Sequence, residues 1–351
     1  MSPAAAGPGV LLAVIIAVIA VSALALAFAL GTAILRIRND AVAARWARLE
    51  AAWEPLILDV LVGERPPAAL HAAVRASERL NFVDYLVRFA RRFRGEERAL
   101  LSGLARPYLH LVEPRVRHAD AEIRARAVQT LATLRLEEHE GVVVAALDDR
   151  SHLVAMTAMR MLASKEHPRY APQVLARLER FDALSRRFLA AMLAAMGPSA
   201  APALRATLGD RDRGERVRTT AALALALLAD PQAGDAAADV VAAGAGPDLV
   251  ASALRLLARV GTGAHADVVR AAAESPEEVP RAQAMATLAR IGDASDLPRL
   301  RKALDDPDPW VAVRAAYALE ELGGCELLRG LAVTDHPRAL LAREVLEFPA
   351  A

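Results

Sequence analysis

Eight histidines and one cysteine are the residues of this 351-residue chain best suited to metal or nucleophilic chemistry. A helical zinc motif sets two histidines four apart with a glutamate between them, so that both imidazoles face one ion. His71, His110, His118, His139, His152, His167, His265 and His336 contain no such pair. Cys325 follows Gly323 and Gly324 in a predicted turn, and His336 lies eleven residues on. A thiolate with an imidazole base is the one nucleophilic pairing these residues allow, and a passive thiol is the simpler expectation. There is no G-x-S-x-G elbow and no glycine-rich phosphate loop after a strand. No catalytic, cofactor-binding or metal-ligating residue is therefore assigned, and no cofactor or metal is expected.

Two basic clusters remain as binding candidates. Arg299, Arg301 and Lys302 stand together ahead of Trp310, with Asp305 and Asp306 between. They are the expected protein-contact residues; the alternative is a solvated face with Trp310 buried locally at the end of a stack. The second cluster is Arg88, Arg91, Arg92 and Arg94 in the string RFARRFRGEER, to which Arg36 and Arg38 add charge upstream. Either these arginines press on anionic lipid headgroups or a partner, at about 1 kcal/mol per basic residue at a membrane, or they form a solvated face paired with Glu96 and Glu97. Formal net charge is +1, which excludes a global electrostatic signature of nucleic-acid binding.

The elements that must position these residues are helical. Alanine and leucine dominate, aromatic residues make up only 4%, and the β-branched clusters of a sheet protein are mostly missing. Residues 10–35 run for 26 positions without a charge. As a helix they span about 39 Å, against about 30 Å for a hydrocarbon core. Ala23-Leu24-Ala25 offers a small-x-small cleavage site, but MSPAAAGPG lacks the charged region of a signal peptide, and the apolar run is too long for one. A retained single-span anchor is expected. Arg36, Arg38, Arg45 and Arg48 follow it, so residues 1–9 are expected outside and everything after the span in the cytoplasm. One cysteine fits a reducing compartment.

Residues 36–116 form a helical connector. Trp46, Leu49, Trp53 and Leu56 share one face of a helix that Pro55 is expected to bend. Phe82, Leu86, Phe89 and Phe93 share one face of another.

From residue 117 to 351 the chain repeats a word. Leu131, Leu162, Leu193, Leu225, Leu257, Leu288 and Leu319 hold equivalent places at spacings of 31 or 32 residues. A fixed period of this size indicates a solenoid. Four residues after a mark stand Gly197, Gly261, Gly292 and Gly323, where a left-handed helix cap is expected. Ile123, Val154, Val217 and Val311 precede their marks by eight, on the buried face, and small residues such as Ala315 and Ala316 allow close helix packing. A second short helix follows each mark, then an acidic or proline-containing turn that starts the next helix. One such hairpin cannot bury its own apolar face; a stack can.

The word VRTTAALALALLADP, residues 217–231, resembles the short HEAT-like repeats of bacteria, with their VR-x-x-A-A-x-A-L motif and small-Asp-Pro turn. Arg124, Arg186, Arg218 and Arg281 lie seven before their marks, where that family often has arginine; the last copy has Ala312 instead. The resemblance covers roughly residues 118–348 and implies a right-handed, all-α solenoid of about seven hairpins. HEAT-like di-iron hydroxylases carry several His-Glu dipeptides, whereas this chain has only His139-Glu140. Anchor, connector and a final DPD-x-W-V word at Trp310-Val311 together resemble bacterial membrane-anchored HEAT proteins. That narrower resemblance implies an inner-membrane glycosyltransferase as partner. The expected role is a non-catalytic, membrane-anchored protein-interaction scaffold. The alternative is a HEAT-like enzyme, either lyase-type or a thiol catalyst at Cys325.

Overall fold

The computed structural model describes residues 8–93, 95–164 and 168–348, and every regular element among them is helical. Arg94, Lys165, His167 and the tail before Pro8 lie outside the described residues. The chain forms two compact units, residues 1–109 and 110–351.

The first unit is organised by one helix, Pro8–Leu61, of 54 residues. It continues through Pro55, where a separate bend was expected. Its first half is apolar and exposed: Ile19, Leu24 and Phe28 all face outward. By length and composition this helix can cross a membrane. Its second half changes character. Leu49, Trp53, Ile57 and Val60 are buried on one face, at the helical spacing of the sequence pattern. Trp53 packs edge-on against Phe82, with centroids 5.2 Å apart, and Phe82 meets Tyr108 in the same way at 5.6 Å. The helix Arg79–Ala90 supplies Phe82, Leu86 and Phe89 to this core together with Val83, Tyr85 and Val87, so it is buried around most of its girth.

The second unit is a stack of hairpins. First-type helices are Ala121–Leu134, His152–Leu162, Arg186–Ala194, Glu215–Leu228, Pro247–Val260, Glu278–Ile291 and Pro309–Glu321. Each is followed by a second-type helix, from Glu137–Ala145 to Cys325–Ala332, which is shorter in every unit except that of Arg186–Ala194, where Ala201–Gly209 is of equal length. First-type helices pack on one another in succession from Arg186 onward. The last helix, Ala339–Glu347, packs on Pro309–Glu321 and takes the next first-type place. All seven leucine marks are buried, as are Ala315 and Ala316. Asp120 and Asp308 cap their helices by accepting backbone N–H groups, as the acidic turns led us to expect.

The glycines four after the marks divide into two kinds. Gly197 and Gly323 have positive φ. Gly261 and Gly292 do not: φ is −67° and −77°, so the expected left-handed cap is absent there. Glycine is required for another reason. A Cβ at Gly261 would lie 2.5 Å from the Leu257 carbonyl oxygen, and one at Gly292 would lie 2.6 Å from that of Leu288. At the same place in two other units the left-handed conformation is held by Arg135 and Ala229.

Arginine seven before the mark has a structural use that depends on what stands 25 residues later. Arg124 grips Asp149 with two nitrogens, at 2.9 and 2.8 Å, and donates to the carbonyls of His118 and Ala119. Arg281 does the same to Asp306, at 3.0 and 3.1 Å, and to the carbonyls of Ser275 and Pro276. The position 25 after Arg186 holds Arg211, and that after Arg218 holds Ala243. Neither can accept the bond. Arg218 turns to the Leu208 carbonyl, and Arg186 reaches elsewhere.

Candidate interaction face

A first-type helix turns its leucine mark, and the positions three, four and seven before it, toward the second-type layer. Positions nine, six, five and two before the mark, and two after it, fall on the opposite side at 100° per residue. That side is the open face of the stack. Small residues such as Ala251 and Ala286 alternate there with large exposed apolar ones: Leu153, Phe188, Leu227, Val279 and Trp310 occupy these registers in five different units.

The face is concave. Arg255 feels the charges of both Arg187 and Arg314, each two units away in these registers. At the N-terminal edge of the same helices Arg186, seven before its mark, reaches two units on to place Nη1 2.7 Å from Asp248 Oδ2. On an outward-curving surface such residues diverge. Eight arginines occupy the same registers. Arg216 is half-buried and Arg290 lies 3.7 Å from Glu321, which leaves Arg126, Arg160, Arg187, Arg255, Arg259 and Arg314, all exposed. None of these six has a carboxylate partner among the described residues. Arg255 reaches only the Gln283 side chain, at 3.5 Å. Burial within the concavity, and then the charges of Arg187 and Arg314, lower the pKa of its guanidinium below the usual arginine value. It stays cationic at any physiological pH. Of the three acidic residues in these registers, Asp248 is taken by Arg186, Glu321 lies 3.7 Å from Arg290, and Glu122 is exposed in the first unit of the stack.

The cluster singled out in the sequence lies mainly on the other layer. Arg299, Arg301 and Lys302 belong to the second-type helix Leu297–Ala303. Arg299 approaches Asp296 and Glu274 at 3.4 and 3.7 Å, Lys302 approaches Glu274 at 3.9 Å, and Arg301 approaches Asp305 at 3.5 Å. Trp310 begins the first-type helix Pro309–Glu321 and is 68% exposed. The four residues are thus divided between two layers, and the three cations are largely neutralised locally.

In the first unit, Arg36, Arg38, Arg91 and Arg92 are exposed. Arg88 bonds Glu50 at 2.9 Å and lies 4.3 Å over the Trp46 ring, so its pairing partner is Glu50 rather than Glu96 or Glu97. Arg92 stands 6.0 Å over Phe89.

The candidate nucleophilic pair is not assembled. His336 Nε2 contacts Asp305 at 2.6 Å, and its Nδ1 accepts the Arg338 backbone N–H. Both ring nitrogens are therefore engaged away from Cys325. His139 Nε2 lies 2.8 Å from Glu113. Among the described residues no three His, Cys, Asp or Glu side chains converge as metal ligands.

The arginines of the open face were missed in the sequence, though a signal was there. Counted from the leucine marks, they fall in the registers that also hold exposed Phe188 and Trp310.

The HEAT-repeat family model matches residues 241–320 and 266–347. No curated protein matches the chain. Among solved structures, the complex of CpcE and CpcF of phycocyanin lyase from Nostoc sp. PCC7120 is 18% identical, covering 68% of this chain and 86% of that one, with a TM-score of 0.32. The karyopherin Kap121p bound to the extreme C-terminus of the protein phosphatase Cdc14p is 16% identical, with 77% and 36% covered and a TM-score of 0.44. A designed armadillo repeat protein is 17% identical, with 61% and 99% covered and a TM-score of 0.30.

Proposed function

We propose, on the premise that this is a HEAT-repeat protein whose matched repeats span residues 241–347, that the chain is a membrane-anchored scaffold holding a protein partner at the cytoplasmic face of a bacterial inner membrane. One observation carries the reading. The helix Pro8–Leu61 is apolar and exposed over its first half, yet supplies Leu49, Trp53, Ile57 and Val60 to the core of the first unit. An anchor built this way is continuous with a folded body. It needs no flexible linker to deliver that body to a membrane.

The repeats supply the binding function. Their open face draws one helix from each unit, which gives an extended surface suited to a protein chain. Tethering raises the effective concentration of any partner in the same membrane. Arg36 and Arg38, directly after the apolar run, support the cytoplasmic orientation through the positive-inside bias. Arg91 and Arg92 are placed to meet headgroups or the partner. Trp310, with Arg299, Arg301 and Lys302, remains a proposed contact set. A membrane glycosyltransferase is the first partner to test, on the resemblance carried by Trp310-Val311.

The test is capture. The full chain, tagged at its C-terminus, is crosslinked in intact cells, solubilised in mild detergent and purified beside a chain lacking residues 1–38. The truncation spares Leu49 and the residues after it. A specific membrane protein recovered only with the anchor present is the expected result. Recovery of nothing above background by a folded full-length chain would overturn the scaffold.

A further inference from the structure

The open face joins two properties that call for one kind of ligand. It carries cations without carboxylate partners in five units, and exposed apolar side chains between them. Phe188 adjoins Arg187 in sequence; Trp310 lies one helical turn before Arg314; Val279 lies one turn before Gln283, which bonds Arg255. Charge and apolar surface therefore alternate along the concavity. The curvature that lets Arg186 reach Asp248 also brings Arg187 and Arg314, from two units away on either side, within electrostatic reach of Arg255. Like charges gathered on a concave, partly desolvated surface repel, and an anion relieves the repulsion.

We infer that the concave face of residues 121–321 binds an extended acidic segment of a partner protein, with its carboxylates on Arg187, Arg255 and Arg314 and its apolar side chains beside Phe188, Val279 and Trp310. Arginine suits this use because its planar fork grips a carboxylate with two parallel bonds. A nucleic-acid strand is the less favoured anion. It requires a basic track continuous along the phosphates and a run of stacking aromatics. Here acidic residues interrupt the track, Leu153, Leu227 and Val279 stand where rings would be needed, and net charge is only +1. The inference deepens the scaffold reading and rests on it.

The test uses the full chain in detergent and three fluorescein-labelled probes. They are an acidic peptide of glutamate, leucine and phenylalanine, the same peptide with lysine for glutamate, and an oligothymidylate of matched length. One variant carries Arg187→Gln, Arg255→Gln and Arg314→Gln. A second removes equal charge from outside the open face and the proposed contact set through Arg211→Gln, Arg213→Gln and Arg329→Gln, all exposed. All six positions avoid the apolar core, and circular dichroism melts confirm folding. The acidic peptide is expected to bind in preference to both other probes, with affinity falling as salt rises. The concave-face variant should weaken it by more than about tenfold, and the second variant by less than about twofold. Absence of acidic-peptide binding, equal binding by the concave-face variant, a larger loss in the second variant, or preference for the oligothymidylate would each overturn the inference. Cellular capture separates its failure from that of the scaffold. A partner still captured by the concave-face variant removes only this face. No captured partner, with peptide binding intact, removes only the scaffold.

Discussion

Arg186 and Asp248 meet at 2.7 Å at the N-terminal ends of their helices, spanning the helix Glu215–Leu228 that separates them in the chain. Neighbouring units join residues about 31 apart, and this pair joins residues 62 apart. The side chains are 36% and 65% exposed, so the pair is worth at most about 1 kcal/mol. Its expected consequence is curvature. Arg186→Ala should leave the melting midpoint nearly unchanged while widening the face. Spin labels at positions 153 and 279, in a Cys325→Ser background, would report that as a longer distance. An unchanged distance would mean that the pair follows the curvature rather than holding it.

Acid should loosen the second unit through its arginine-held aspartates. The Arg124 hydrogen bond lowers the pKa of Asp149, and Arg270 does the same for Asp296, which is fully buried. Burial pushes Asp306 upward, but the Arg281 bonds, the Asp308 backbone N–H and the charges of Arg281 and Arg338 together outweigh it, and the net shift is down. A carboxylate whose folded pKa lies below its unfolded value, about 3.9, contributes its full stability above that value and loses it as pH falls through the folded one. Melting midpoints should therefore hold, as far as these groups are concerned, down to about pH 4 and fall below it. Asp306→Asn should lower the midpoint at neutral pH and flatten the acid limb. A variant with the wild-type acid profile would place the acid sensitivity elsewhere.

Two substitutions at equivalent places should act in opposite directions. Ala229 holds φ 50°, a conformation that costs an L-residue about 1 kcal/mol, so Ala229→Gly should stabilise by up to about that amount. Gly261→Ala places a methyl group 2.5 Å from a fixed carbonyl oxygen and should destabilise. Denaturant midpoints of the two variants, measured side by side, check the contrast. A Gly261→Ala chain as stable as wild type would show that the turn relaxes freely.

Tryptophans should separate core from surface. Trp53 is 1% exposed within an aromatic cluster, and Trp53→Ala should cost about 3–5 kcal/mol in the first unit. Trp310→Ala should change stability by less than about 0.5 kcal/mol, because its ring is mostly exposed. Local hydrogen exchange assigns each loss to its unit. A large stability loss at Trp310 would assign that ring to packing and withdraw it from the binding face.

Helix type, repeat period and the buried face of each helix were legible because they depend on spacing within one turn or one hairpin. Leu319 is buried for the reason its register suggests: it faces the second-type layer, as Leu288 and Leu257 do. The Arg124–Asp149 and Arg281–Asp306 grips could also be counted, since partners 25 residues apart in a regular repeat occupy a constant relation. Gly261 misled because sequence reports that a Cβ is forbidden but not whether φ or a close carbonyl forbids it. Which arginines remain available for a partner was decided only by the tertiary structure. Arg299 and Arg301 are met by nearby acids, while Arg187, Arg255 and Arg314 are gathered by superhelical curvature onto a surface with few free carboxylates. That curvature sums small rotations between units. Local spacing defines the units, but the accumulated rotation is a property of the stack.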